Sequence, residues 1–247
     1  MRRIRLVTIE RVIAEKVKNN VFHRRITMRI HSLMIASFAG LLLAASLPVW
    51  ASYSGLLIIP TAETVGAGQY SVYLQMDGQI PDTFADTYLL NTEFGIGDRL
   101  EVGVDYDLSA GADPRWLFNA KYLFAEMPGL HAALAAGVTN IGNHLRPTPY
   151  VVMSKEHGAF RGHLGAMRID GENEWFAGMD GAVDDKLTLM ADYTSGVENG
   201  TSVGFDYALN DSFSISPGVV FPNDASETRF TLYLCFYGSY QRPAKDE

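Results

Sequence analysis

From Gln69 onward the sequence repeats one pattern: short segments in which apolar and polar residues alternate, separated by turn-forming residues. In 100–108 one set of alternate positions is Leu100, Val102, Val104, Tyr106 and Leu108; the other is Glu101, Gly103, Asp105 and Asp107. Side chains of an extended strand point to opposite faces with period two, so the alternation predicts a strand with one apolar and one polar face. Twelve such segments succeed one another: 69–76, 87–94, 100–108, 116–124, 130–139, 150–154, 160–168, 175–183, 187–193, 202–209, 213–221 and 229–236. Gly, Asp, Asn and Pro crowd the gaps, as turns require. Two folds satisfy this pattern. In a soluble β-protein the apolar face turns inward; in an outer-membrane barrel it turns outward to lipid.

Three features favour the barrel. Gaps after even-numbered segments are short (GIGDR, AEMPG, KEHGA, DDK, NDS). Those after odd-numbered segments tend to be longer (DGQIPDTFAD, SAGADPR, NIGNHLRPT, DGENE, SGVENGT, PNDASE). Outer-membrane barrels show this rhythm, with short periplasmic turns and longer outer loops. The apolar face also carries aromatics near segment ends, as an interfacial girdle does. Finally, the polar face combines Gly103, Gly137, Gly165, Gly178, Gly204 and Gly218 with charges of both signs. Glycine weakens strands, so its repetition on one face fits a narrow lumen where neighbouring side chains need room.

The chain is therefore expected to be all-β: an antiparallel up-and-down transmembrane β-barrel of about twelve strands, over 69–237, with a polar tail over 238–247. Lumen-facing charges are expected at Glu93, Glu101, Asp105, Asp107, Lys121, Arg161, Asp180, Asp192, Asp206 and Arg229, with Lys155 and Lys186 on the same face. Acids and bases are expected to pair across the interior, so the lumen is expected to be filled by side chains rather than to form a wide pore. Lipid-facing positions are expected at Leu100, Val102, Val104, Tyr106, Trp116, Phe205, Phe230, Leu232 and Leu234. Outer-membrane lipid and the barrel-assembly machinery are the expected partners.

Ahead of the barrel, 28–51 has the layout of a secretory signal peptide: Arg29 after a Met, an apolar core over 33–47, and small residues at Val49 and Ala51. Cleavage is expected after Ala51. Residues 1–27 are either a long basic leader or an over-extended start. Residues 52–68, apolar and then rich in Pro and Gly, are expected to form a short strand or to pack in or beside the barrel. Beyond residue 51 the chain has eleven Lys/Arg against twenty-six Asp/Glu, a balance that disfavours nucleic acid. The single Cys235 excludes an intramolecular disulfide and a cysteine zinc site, and is expected to be a buried, inert thiol.

No catalytic motif appears: there is no Gly-x-Ser-x-Gly, no His-Glu-x-x-His and no phosphate loop. His144 falls in a loop beside Arg146, and His131 and His163 fall on the polar face. Asp105/Asp107 and Asp184/Asp185 suggest a cation, but Asp184/Asp185 falls in a tight turn and Asp105/Asp107 face mixed charge. The chain is expected not to be an enzyme and to need no cofactor or metal.

The stretches 55–70 (GLLIIPTAETVGAGQY), 93–108 (EFGIGDRLEVGVDYDL), 119–124 (NAKYLF), 133–142 (ALAAGVTNIG) and 194–207 (TSGVENGTSVGFDY) resemble the YjbH-type outer-membrane barrels encoded with exopolysaccharide operons. The resemblance covers most of 55–237. It implies an outer-membrane protein with a structural or accessory role in exopolysaccharide export, with polysaccharide or export-operon proteins as partners. A passive channel for small solutes is the alternative. A soluble periplasmic ligand-binding protein is the third reading.

Overall fold

The computed structural model describes residues 55–80, 85, 87–109, 115–142 and 145–240. The leader and the expected cleavage at Ala51 lie outside the described residues, as does His144. The strands are β1 (Gln69–Gln79), β2 (Thr87–Ile96), β3 (Leu100–Asp107), β4 (Trp116–Met127), β5 (Ala132–Gly142), β6 (Thr148–His157), β7 (Phe160–Ile169), β8 (Glu172–Ala182), β9 (Leu187–Thr194), β10 (Gly200–Asn210), β11 (Phe213–Pro222) and β12 (Arg229–Ser239). Each pairs antiparallel with its sequence neighbours. β1 closes on β12 from Gln69 opposite Ser239 to Gln79 opposite Arg229. Closure leaves no open sheet edge, so the backbone polar groups of the strands are satisfied within the ladder. Among the described residues no helix is long and apolar enough to cross a membrane.

Strands of eight to twelve residues match the length a tilted strand needs to span a bilayer. The outward positions form an apolar belt that includes Leu90, Trp116, Phe118, Val151, Leu164 and Phe205, all exposed. Leu100, Val102, Val104, Tyr106, Phe230, Leu232 and Leu234 occupy outward positions of β3 and β12 in the same belt. A soluble protein does not expose a continuous apolar surface of this extent, whereas lipid demands one. Aromatic pairs ring both ends. Tyr106 with Trp116 and Trp175 with Tyr193 lie at the long-loop end, with ring centroids 4.7 and 4.9 Å apart. Tyr70 with Phe94 and Phe213 with Phe236 lie at the short-turn end, 6.4 and 4.6 Å apart.

Several sequence expectations change. The gap DGENE closes to a two-residue turn, Asp170-Gly171, with φ of 50° and 101°. Asp-Gly is the dipeptide that tolerates positive φ at both central positions of a type I′ hairpin, so β7 and β8 run on to meet it. The contrast between long and short gaps is weaker by that much. β6 extends to His157, which puts Lys155 on the outward, exposed side; the expected lumen position fails because 152 and 154 set the inward register. Lys186 sits in the exposed turn before β9 rather than on the lumen face, and Asp184 caps that turn by accepting the Lys186 and Leu187 N–H groups at 2.8 and 2.9 Å. His131 also leaves the polar face. It follows a 3-10 turn, Pro128–Leu130, and is exposed with a left-handed backbone. β12 runs to Ser239, two residues past the expected barrel boundary.

Candidate functional site

The inward faces converge on the chain's own N-terminal segment. Leu56, Leu57, Ile59, Thr61 and Ala62 are almost wholly buried, and all but Thr61 belong to the principal apolar cluster, with Tyr73, Tyr150, Phe176, Met190, Tyr233 and Cys235 from the wall. The segment makes a tight loop, with Gly55 bridging Pro60 and the Leu56 N–H donated to Ile59 O at 2.9 Å. Of the two placements left open by the sequence, in or beside the barrel, it takes the first.

The wall is shaped to receive it. A Cβ on Gly178 would meet Ile59 Cδ1 at 2.6 Å and Leu56 Cδ1 at 2.8 Å; one on Gly204 or Gly218 would meet Leu57 Cδ1 at 2.9 Å. Three lumen glycines on β8, β10 and β11 thus form the bed of the segment. The others make room for wall side chains: Gly103 for the Glu93 carboxylate, Gly137 for Tyr150 and Gly165 for Phe176. Because the segment has no strand ladder of its own, wall side chains take up its backbone groups. Tyr233 Oη donates to Leu57 O at 2.6 Å, and the Ile58 N–H donates to Asp192 Oδ2 at 3.2 Å. The Ala62 N–H donates to Ser154 Oγ and the Val65 N–H to Glu101 Oε2, both at 2.8 Å.

Toward the short turns the lumen is filled by polar networks. Arg161 binds Asp180 at 2.7 Å and reaches Glu63 of the segment at 3.3 Å. His163 Nε2 lies 2.8 Å from Asp180 Oδ1, and its Nδ1 lies 2.7 Å from Ser154 Oγ. Asp206 accepts from Ser214 at 2.7 Å and from Ser216 at 2.5 Å. Cys235 is buried against Ser216. Serine, histidine and aspartate in line could suggest a nucleophile, but Ser154 Oγ is capped by the Ala62 N–H, and none of the three lines the cavity. The arrangement closes a barrel; it offers no place for a substrate beside the hydroxyl.

Glu63 lies outside the strands. Burial alone would raise its carboxyl, but the Arg161 guanidinium, and then His163, outweigh burial and hold it below the usual carboxylate range. It is ionised at neutral pH and ties the segment to the wall.

The segment is not centred. Leu56, Leu57 and Ile59 pack against β8–β12, while Ala62 and Val65 reach β6 and β3, and a cavity of about 600 Å³ stays open beside Ile58, lined by β2–β4 and, across from them, by Thr194, Glu198 and Thr231. This space runs from the long-loop rim, at Glu198 and Pro222, past Ile58 and down β2–β4 to Glu101. Below Glu101 it ends. The Gly68 N–H donates to Gly95 O at 3.1 Å, and a Cβ on Gly95 would lie 2.1 Å from Gly66 O. Tyr240 Oη donates to the same Gly95 carbonyl at 2.6 Å.

The structure places the sequence-selected charges in three groups. Glu93, Glu101, Asp105 and Lys121 line the cavity. Arg161, Asp180 and Asp206 belong to the short-turn networks, and Asp192 anchors the segment. Asp107 and Arg229 stand at the long-loop rim. Glu101 pairs with Lys121 at 3.4 Å, and Asp107 pairs with Arg115 of the adjoining loop at 3.1 Å. Asp105 has the Asn119 amide at 2.5 Å in place of a base. Among the described residues no group of three or more His, Cys, Asp or Glu could hold a metal ion. The sequence reading passed over Tyr233, Ser154 and Tyr150, polar or aromatic residues at inward positions of otherwise apolar stretches.

No protein-family model matches the chain, and no curated protein sequence does. Its fold is shared with solved outer-membrane porins. The KdgM porin in complex with disordered oligogalacturonate superposes with a TM-score of 0.52 at 12% identity, covering 67% of this chain and 98% of that one. A second KdgM porin structure gives 0.50 at the same identity and coverage. The YjbH-type resemblance rests on the sequence motifs alone. A closed twelve-stranded barrel of the outer-membrane porin fold, with its N-terminal segment inside, is the architecture of this chain.

Proposed function

We propose that the protein is an outer-membrane channel for small polar solutes, held closed by its own N-terminal segment. The observation that carries this reading is the off-centre segment. It leaves a cavity that carries the charged side chains of β2–β4, and it is tied to the wall by isolated side-chain hydrogen bonds rather than by a strand ladder. A segment held this way can shift without breaking the barrel, since the β1–β12 closure does not depend on it. The KdgM porin binds an oligogalacturonate, which is polyanionic. The cavity here places Glu93, Glu101, Asp105 and Glu198 against Lys121 and Arg229, so neutral or cationic solutes suit it better.

The filled short-turn half favours a second reading. The Arg161–Asp180–His163 and Asp206–Ser214–Ser216 networks make a rigid floor, as a barrel with a structural or accessory role in exopolysaccharide export would have. Swelling of proteoliposomes containing the full chain separates the two. The channel reading expects swelling with small neutral sugars and slower swelling as solute size grows. No swelling with any solute, for the folded wild-type chain and for Tyr233→Phe alike, contradicts it.

A further inference from the structure

We propose that the cavity wall formed by β2–β4 is a binding site for a small organic cation carrying a primary ammonium, of the size of an amino sugar. For its role this site rests on the channel reading above; for its occupancy it needs only the folded barrel. Glu93 and Asp105 both line the cavity, are more than nine-tenths buried, and each has a carboxylate oxygen without a hydrogen-bonding partner, Oε2 and Oδ1. The unpartnered hydroxyls of Thr194 and Thr231 line the same space from the facing wall. Buried acceptors left unmatched are costly, and they cluster here although the networks elsewhere in the lumen pair their carboxylates. The wall sets three carboxylates, Glu93, Glu101 and Asp105, against one ammonium, Lys121, so it favours a cation.

Among the described residues no group of three or more His, Cys, Asp or Glu could hold a metal ion, which favours an organic cation. Glu93 stands opposite Gly103, and Asp105 lies two residues further along β3, a rise of about 7 Å. A single metal ion requires oxygens converging within about 2.6 Å of it. A ring bearing an ammonium and hydroxyls spans both carboxylates instead. Gly103 makes the pocket, since a Cβ there would meet the Glu93 carboxylate at 2.4 Å. Asn119 and Asn91 on the same wall supply amides of the kind that hydroxyls recognise.

Calorimetry on the full chain folded in detergent, with glucosamine hydrochloride, glucose and calcium chloride as separate probes, tests the site. Glucosamine is expected to bind saturably, while glucose at equal concentration binds at least about tenfold more weakly, the ratio that one charge-assisted hydrogen bond supplies. Glu93→Gln and Asp105→Asn are each expected to weaken glucosamine by about tenfold. Asp105→Asn keeps the Asn119 contact through its amide oxygen, so it serves if Glu93→Gln fails to fold. Equal binding of glucose, unchanged affinity in the variants, or heat from calcium but not from glucosamine overturns the proposal. Glucosamine binding by a barrel that passes no solute leaves this site standing and removes only the channel.

Discussion

Tyr233 of β12 donates its hydroxyl to the carbonyl of Leu57 at 2.6 Å, joining residues 176 positions apart inside the barrel. Both partners are buried, so the bond acts where water does not compete. Tyr233→Phe removes the donor and strands the carbonyl, weakening segment docking by about 1–3 kcal/mol. Hydrogen exchange is the readout. The Ile58 and Ala62 amides, which hydrogen-bond to Asp192 and Ser154, are expected to exchange roughly tenfold faster per 1.4 kcal/mol lost. Amides of the β6–β7 ladder are expected to stay unchanged.

Glycine substitutions separate segment from wall. At Gly178 an added Cβ meets the ends of the Ile59 and Leu56 side chains, which can turn aside. At Gly204 it meets the Pro217 carbonyl at 2.3 Å, which is backbone. Gly178→Ala is expected to loosen the segment and spare the barrel, whereas Gly204→Ala costs the barrel about 1–3 kcal/mol. Urea unfolding in lipid vesicles, read beside proteolysis of the segment, distinguishes the two.

The strands and their two faces were legible because period-two alternation is local: each strand reports its own inside and outside. The segment's position was not, because no local rule joins Leu57 to Tyr233. Its trace was nevertheless present in Gly178, Gly204 and Gly218, three glycines on inward positions of strands that meet on one side of the lumen. Repeated glycine on one face signals room for neighbouring side chains, and here the neighbours are Leu56, Leu57 and Ile59. The Asp170-Gly171 turn was equally readable, since that dipeptide signals a two-residue hairpin. Lys155 escapes a reading that ends the sixth strand at 154, since β6 runs on to His157 and its register turns 155 outward.

The outward belt gives a direct test of membrane placement. Val104 lies near the middle of β3 on the apolar side. Val104→Arg is expected to cost about 2–4 kcal/mol of folding free energy in vesicles. Asp211→Arg, in an exposed turn, is expected to change it little. Equal tolerance of the two by equilibrium unfolding would argue that the belt does not face lipid.

Acid is expected to release the segment. The Glu63 carboxyl is held low against burial by Arg161 and then His163, so its folded value lies below the unfolded value of about 4.3. A lowered acid contributes stability that is fully present above the unfolded value and is lost as pH falls through the folded one. Segment docking, followed by protease accessibility, is expected to hold from neutral pH to about 4.3 and to weaken below it. In Glu63→Gln this acid-dependent step is expected to disappear.

Single-channel recording on the full chain in planar bilayers tests the central claim, that the N-terminal segment gates the lumen. Wild-type barrels are expected to be closed most of the time, with brief openings. Tyr233→Phe and Asp192→Asn, which weaken the anchors of Leu57 and Ile58, are expected to lengthen the openings without changing their unit conductance. A steady open level in the wild type, or variants indistinguishable from it, would contradict a gate built from this segment.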